Sequence, residues 1–198
     1  MAGGVYRGDP YSGGDSEVGA ALLGPWSDQV QRLKRIALVL VILLGCVGCD
    51  QVTKSVARDH LQSHPAMSFL GDTLRLQYAE NPGAFLSLGA SLPHRWGTAI
   101  FTLGGVAFVL VTLLFALTAV KSGRLRAIAL ALICGGGIGN LIDRVRFDGH
   151  VTDFLNLGVG SMRTGIFNVA DMALMAGVAL FFLAHRRSEQ VTSDPYRG

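Results

Sequence analysis

Long stretches without charged residues alternate with short polar segments along the chain. Four stretches are almost free of charge: 36–49, 97–120, 127–142 and 164–184. A helix that crosses a bilayer needs about 20 predominantly apolar residues. The second stretch reaches that length by itself, and the first and third reach it by including polar residues at one end. The pattern therefore predicts four membrane-spanning helices, at about 33–55, 97–120, 125–143 and 164–185.

Composition supports this interpretation. Of the 198 residues, 50% are hydrophobic and only 16% are charged, whereas a soluble domain carries about 25% charged residues. Four buried helices of a soluble protein would leave too little polar helix to cover them. This composition excludes an ordinary soluble enzyme. The net charge of only +3 does not indicate a nucleic-acid-binding surface, so a nucleic-acid-binding protein is excluded as well.

Basic residues flank the predicted spans on one side. They form three clusters: Arg32, Lys34 and Arg35; Lys121, Arg124 and Arg126; Arg186 and Arg187. Cytoplasmic flanks of membrane proteins collect Lys and Arg. With four spans, both termini are therefore expected in the cytoplasm and the loops 56–96 and 144–163 outside it. The Gly-rich segment 1–30 and the segment 188–198 are both predicted to be disordered cytoplasmic tails.

A short strand is predicted in the larger outer loop. Residues 73–78 alternate polar and apolar side chains, which is the period of a strand with one buried face, and Asn81-Pro82-Gly83 provides a turn. The expected fold is an all-α membrane protein of four transmembrane helices with a small β element on the outer surface.

Polar residues within or beside the spans gather at the outward ends. A charge inside a bilayer costs at least about 2.5–3.5 kcal/mol at its centre, so such residues are candidates for function. They are Asp50, Lys54, Asn140, Asp143, Arg144, Asn168 and Asp171. One polar cluster at one depth predicts a site at the outer membrane interface. A transporter or proton relay would instead carry charges through the whole depth.

Asp171 has no basic residue within four positions, so its charge is expensive unless a second acid shares a proton with it. An aspartic protease needs two such neighbouring carboxyl groups, of which one stays protonated and the other activates water. Asp143, Asp148 and Asp153 are the candidates for the second carboxyl. The apolar setting of Asp153 favours it only slightly over the other two.

Structural roles remain open for the other polar residues. Asp50 and Lys54 are spaced i,i+4 and are expected to form an ion pair. Asp143 is expected to pair with Arg144 or with an arginine of another helix. Gly135 and Gly139 are spaced for close helix packing.

Metal binding and lipid attachment are weaker interpretations. His60 and His64 have ligand spacing but lack further ligands, so no metal and no cofactor are expected. Leu44-Gly45-Cys46 follows an apolar run as in a lipoprotein signal peptide, but the three later spans argue against cleavage there.

Five motifs in order then resemble one family, lipoprotein signal peptidase (signal peptidase II). They are DQVTK from Asp50, NPGAF from Asn81, GGIGNLIDR from Gly136, VTDF from Val151 and FNVAD from Phe167. The similarity extends from about Leu33 to Ala184. It implies a β-cradle and a periplasmic helix on the outer side of a bacterial cytoplasmic membrane.

The resemblance also implies roles for residues. The catalytic aspartates would be Asp153 and Asp171. Supporting residues would be Asp50, Lys54, Asn81, Gly83, Asn140, Asp143, Arg144 and Asn168. The implied substrate is a prolipoprotein whose signal peptide precedes a diacylglyceryl-modified cysteine. The other expected partner is membrane lipid, and the enzyme is expected to act as a monomer without nucleic acid.

Overall fold

The computed structural model describes residues 14–83, 94–119 and 123–192. Four helices and four strands follow one another in these residues. The helices are α1 (Gly14–Leu61), α2 (His94–Ala119), α3 (Arg124–Arg146) and α4 (Val169–Thr192). The strands are β1 (Met67–Phe69), β2 (Leu74–Asn81), β3 (Val151–Val159) and β4 (Met162–Arg163).

Each helix contains a segment long and apolar enough to cross a membrane. In the described residues these segments are Gln29–Leu61, Trp96–Ala116, Arg124–Arg146 and Val169–Arg186. Their outer faces expose large apolar side chains such as Leu44, Leu103 and Phe182, as expected of helices whose neighbours are lipid. The predicted fold class, four spans with a small sheet, is confirmed.

Three boundaries differ from the sequence-based expectation. Helix α1 begins at Gly14, inside the segment predicted to be disordered, because a helix nucleated by the apolar span extends at little further cost. The last span begins at Val169 and not at 164, because Phe167 still bridges to Leu155 of the sheet and Asn168 caps the helix. Helix α4 continues to Thr192, inside the second tail predicted to be disordered. Residues 1–13, 84–93, 120–122 and 193–198 lie outside the described residues, so the disorder of both chain ends and the implied periplasmic helix stay predictions.

Helix α3 packs against the other three helices, and its glycines allow the close approach. A Cβ atom on Gly139 would lie 2.6 Å from Asp50 Oδ2 of α1 and 3.1 Å from the Cβ of Ala170 on α4. A Cβ on Gly135 would lie 2.8 Å from that of Cys46. The glycine run therefore brings polar side chains of three helices within reach of one another, as the Gly135–Gly139 spacing predicted.

The four strands form one antiparallel sheet in the order β1-β2-β3-β4. The predicted strand 73–78 is present as β2, which begins one residue later, at Leu74, and continues to Asn81. Phe154 of β3 packs with Ala57 and Leu61 near the end of α1, alongside Leu76 and Tyr78. This apolar cluster fixes the sheet to the C-terminal end of α1 and holds the first half of β3 against the helix ends.

Candidate active site

The beginning of α4 presents Asp171 through a capping box. Asn168 is the N-cap: its Oδ1 accepts a hydrogen bond from the Asp171 peptide N–H at 3.0 Å. In return, Asp171 Oδ2 accepts the peptide N–H of Asn168 at 3.2 Å. This reciprocal pair satisfies two backbone donors at the helix start. The sequence Asn168-x-x-Asp171 therefore fixes both the start of the helix and the orientation of the Asp171 carboxyl.

Asn168 also holds the second carboxyl. Its Nδ2 donates to Asp153 Oδ1 at 2.6 Å, so one asparagine contacts both Asp153 and Asp171. Asp153 lies on β3 opposite Ala79 of β2, and its Oδ2 accepts from Asn81 Nδ2 at 2.9 Å. Only 2% of Asp153 and 6% of Asp171 is exposed. The structure thus brings two buried acids to a single residue.

Burial changes the proton affinity of Asp153. Removal from water raises the pKa of Asp153 to about 6, and the neighbouring Asp171 charge adds to the rise, whereas the hydrogen bonds from Asn81 and Asn168 oppose it. An acid with such a pKa holds a proton for part of the time near neutral pH. Asp153 can therefore act as an acid beside a second carboxyl.

The other candidates for the second carboxyl lie in different settings. Asp148 is exposed in the turn after α3. Asp143 is fully buried, 3.3 Å from Lys54 Nζ and 4.0 Å from Arg58 Nη1. The expected cross-helix arginine partner is thus Arg58 of α1, at the edge of ion-pair distance. Among the three, Asp153 is the acid that shares a contact residue with Asp171.

Lys54 is the centre of a buried ionic group. Its Nζ lies 2.9 Å from Asp50 Oδ2, so the expected pair at i,i+4 is present, and it donates to Asn140 Oδ1 at 2.8 Å. Asn140 Nδ2 in turn donates to Asp171 Oδ1 at 2.9 Å. Asp50, Lys54 and Asp143 are each 0% exposed. Asn140 therefore links this ionic group to the pair of acids.

Arg144 holds the turn after β2 against the site. Its Nη2 donates to the carbonyl oxygen of Gly83 at 2.7 Å, while the Gly83 N–H donates to Asn81 Oδ1 at 2.9 Å. The Nε of Arg144 is buried without a hydrogen-bond partner in the described part of the chain. This donor remains available to a ligand.

Two cavities border Asp171. The larger, of about 550 Å³, lies between the sheet and α4. Its other lining residues are mostly apolar: Leu74, Leu155, Leu157, Phe167, Met172 and Met175, with Thr164. The smaller, of about 360 Å³, lies between α2, α3 and α4 and includes Arg144, Asn140 and Gly137. An extended apolar ligand could therefore reach Asp171 from the lipid-facing side of the molecule.

Sequence reasoning missed three residues that complete the site. Arg58 donates to Thr152 Oγ1 at 2.9 Å, and Gln51 Nε2 donates to Asp143 Oδ1 at 3.1 Å. The Thr152 N–H donates to Asp143 Oδ2 at 3.0 Å. The spacing of Arg58, four residues after Lys54 on one helix face, was the available signal.

Within the described residues, no group of three His, Cys, Asp or Glu side chains is placed to hold a metal ion, and His60 Nδ1 lies against the carbonyl of Val56 in its own helix.

Comparison with known proteins identifies the family. Residues 38–186 match the profile of the family described as Signal peptidase (SPase) II. The chain is 36% identical to the lipoprotein signal peptidase of Moorella thermoacetica over 71% of this chain and 87% of the relative. It is 40% identical to that of Janthinobacterium sp. (strain Marseille) over 74% and 82%.

Solved structures show the same fold. A bacterial membrane enzyme determined by the in meso method at 2.3 Å resolution aligns with a TM-score of 0.68 at 24% identity, covering 82% of this chain and 94% of the other. A second, at 1.9 Å resolution, aligns with a TM-score of 0.63 at 26% identity, covering 75% and 92%. Because the family profile covers residues 38–186, well over half of the chain, the chain belongs to the signal peptidase II family of bacterial membrane peptidases.

Proposed function

We propose that this protein is an aspartic endopeptidase that removes the signal peptide from diacylglyceryl-modified prolipoproteins, cutting just before the lipidated cysteine. The observation that carries the proposal is the pair of buried carboxyls, Asp153 and Asp171, held by one asparagine. Like charges held close do not both ionise, so the pair retains one proton. That is the protonation state that an aspartic peptidase requires.

The chemistry follows from the two environments. Asp171 lies in the first turn of α4, where the helix dipole favours a negative charge, whereas burial raises the pKa of Asp153 to about 6. In the proposed assignment, Asp171 is the general base that takes a proton from water, and Asp153 is the acid that donates to the scissile carbonyl oxygen. The hydroxide oxygen bonds to the carbonyl carbon. Collapse of the tetrahedral intermediate breaks the C–N bond. The proton held on Asp171 passes to the leaving amine of the cysteine, and one hydroxyl of the intermediate returns its proton to Asp153.

Arg144 and the larger cavity are proposed to hold the substrate. The unpartnered Arg144 Nε beside Asp171 is suited to bind a backbone carbonyl of the signal peptide. The apolar lining between the sheet and α4 suits an acyl chain or an apolar peptide side chain. A substrate anchored by lipid presents its scissile bond at the membrane surface, which is the depth of the two acids.

The proposed location follows the distribution of basic residues. Arg32, Lys34 and Arg35 precede the apolar part of α1, and Arg186 and Arg187 follow that of α4. These flanks are proposed to be cytoplasmic, which places the sheet and both acids at the extracytoplasmic face of the bacterial cytoplasmic membrane. The enzyme is proposed to act as a monomer, with prolipoprotein and lipid as its partners and no nucleic acid.

The test is a cleavage assay with the purified protein and two forms of one prolipoprotein. The lipidated form should be cut immediately before its cysteine, while the unlipidated form should remain intact. Cleavage should persist with chelators and with serine-directed reagents, because the proposed chemistry uses only carboxyls and water. Equal cleavage of both forms would contradict the proposed substrate, and inhibition by a chelator would contradict the proposed mechanism.

A further inference from the structure

Two buried acids outside the catalytic pair each bind the backbone beside one member of that pair. Asp50 Oδ1 accepts the peptide N–H of Ala170 at 2.9 Å, and Ala170 directly precedes Asp171. Asp143 Oδ2 accepts the peptide N–H of Thr152 at 3.0 Å, and Thr152 directly precedes Asp153. The two acids belong to different helices, α1 and α3. The same kind of contact thus occurs once on each side of the site.

One lysine contacts both acids, and Gln51 Nε2 also donates to both, to Asp50 Oδ2 at 3.2 Å and to Asp143 Oδ1 at 3.1 Å. Lys54 Nζ lies 2.9 Å from Asp50 Oδ2 and 3.3 Å from Asp143 Oδ2, and its remaining contact is Asn140 Oδ1 at 2.8 Å. Lys54 Nζ thus donates one hydrogen bond, to Asn140, and forms ion pairs with both carboxylates. The lysine is 0% exposed, and a buried charge without partners would be strongly destabilising. Lys54 is therefore held in one position.

The hydrogen bond from the Ala170 N–H to Asp50 also stabilises the start of α4. Ala170 is the second residue of α4, and the first four N–H groups of a helix lack partners within it. Asp50 satisfies one of them and places a negative charge where the helix dipole is favourable. The start of α4, and with it the capping box that orients Asp171, is thereby tied to α1.

We infer that Lys54 is a positioning residue that fixes the spacing between Asp153 and Asp171, acting through Asp50 on the start of α4 and through Asp143 on β3. The inference rests on the proposed catalytic role of the two acids. Strand β3 and helix α4 are separate elements, so the distance between their carboxyls is set by what both are attached to. Asn168 links the two acids directly, and Lys54 adds a second link, because it contacts both Asp50 and Asp143.

The central variant is Asp50→Asn with Lys54→Met, compared with Lys54→Met alone. The double variant removes one charge of each sign and so preserves the net charge of the buried group, which limits misfolding. Because misplacement of a catalytic group by about 1 Å can cost a factor of about 100, kcat should fall by about that factor while KM changes little. Lys34→Met, an exposed lysine at the other end of the same span, is the matched control and should keep the wild-type kcat.

Hydrogen exchange provides a readout that does not depend on activity. Loss of the lysine should accelerate exchange of the Ala170 and Thr152 amides together, each by about tenfold, the equivalent of one hydrogen bond. A lysine that only stabilises the bundle would lower the thermal midpoint but leave kcat of the folded protein unchanged. Wild-type kcat in a folded double variant, or accelerated exchange at only one of the two amides, would overturn the inference. If the wild type does not cleave prolipoprotein, the proposed function fails, while the exchange measurement still decides the role of Lys54.

Discussion

Asn168 concentrates several tasks in one side chain. It caps α4, contacts Asp153 and accepts the peptide N–H of Asp171, and it is 0% exposed. A hydroxyl at this position would still cap the helix but would lack the amide donor to Asp153. Stability and catalysis at Asn168 should therefore be separable by substitution.

Asn168→Ser should reduce kcat by about 100-fold through misplacement of Asp153 while it keeps most of the capping stability. Asn168→Ala should show a similar loss of kcat and in addition lose about 1 kcal/mol of stability with the cap. Cleavage kinetics and thermal unfolding in detergent measure the two effects. Equal stability of the serine and alanine variants would contradict the capping role.

The pH dependence of stability follows from Asp153. Its pKa rises from 3.8 to about 6 on folding, so the folded state binds a proton more tightly than the unfolded state. The stability from that proton is fully present below pH 3.8 and is lost as pH rises through about 6. Asp153→Asn should flatten the unfolding free energy across this window and increase it at pH 7, by at most about 3 kcal/mol. Unfolding measured at several pH values checks this, and an unchanged slope would contradict it.

Asn81 lowers the pKa of the Asp153 carboxyl through a hydrogen bond. The hydrogen bond from Asn81 Nδ2 to Asp153 Oδ2 favours the ionised carboxyl, so Asn81→Ala should raise the pKa of Asp153 further. Because Asp153 acts as the acid, the alkaline limb of the profile of kcat against pH should move to higher pH. If Asp153 were instead the base, the same rise in its pKa would move the acid limb of the profile to higher pH and leave the alkaline limb in place, and that result would contradict the assignment.

At the scale of elements, glycine in α3 permits the crossing of three helices. Gly139→Ala would place a methyl group 2.6 Å from Asp50 Oδ2 and should destabilise the bundle by about 1–3 kcal/mol, with loss of activity. Gly48→Ala on α1 is the matched control, because nothing lies within 4 Å of the added methyl group. Thermal unfolding compares them, and equal midpoints would contradict the proposed tight crossing.

Sequence reasoning located most polar positions of the site but not their partners. Charged residues in apolar runs are conspicuous because the bilayer penalises them, and this revealed Asp50, Lys54 and Asp171. Arg58 and Thr152 lie outside the uncharged stretches of the sequence, where polar residues are ordinary and carry no such signal. The partner of Asp143 depends on how α1 and α3 are aligned, which the pattern within a single helix does not determine.

The boundary of α4 likewise depends on a contact between segments and not on the local hydropathy pattern. Hydropathy alone extended this span to 164, because Phe167 and its neighbours are apolar. In the structure Phe167 bridges to Leu155 of β3, a contact between segments that hydropathy does not detect. The Asn168-x-x-Asp171 spacing is a recognisable capping box and marks the true start of the helix.

At the scale of the whole molecule, the orientation in the membrane can be tested with cysteines. Ser161→Cys, exposed between β3 and β4, should react in intact cells with a membrane-impermeant thiol reagent. Ser188→Cys, beyond the last apolar segment, should react only after permeabilisation. The parent protein serves as the control for Cys46, Cys49 and Cys134. The opposite labelling pattern would place the acids on the cytoplasmic side.

The most direct test of the central claim is mass spectrometry of one lipidated prolipoprotein after incubation with the wild type, Asp153→Asn, Asp171→Asn and Asp148→Asn. The wild type and Asp148→Asn, whose exposed turn lies outside the site, should release the signal peptide and leave the lipidated cysteine as the new N-terminus. Asp153→Asn and Asp171→Asn should leave the substrate intact although both proteins insert and fold. Full processing by either of these two variants would contradict the assignment of the catalytic pair.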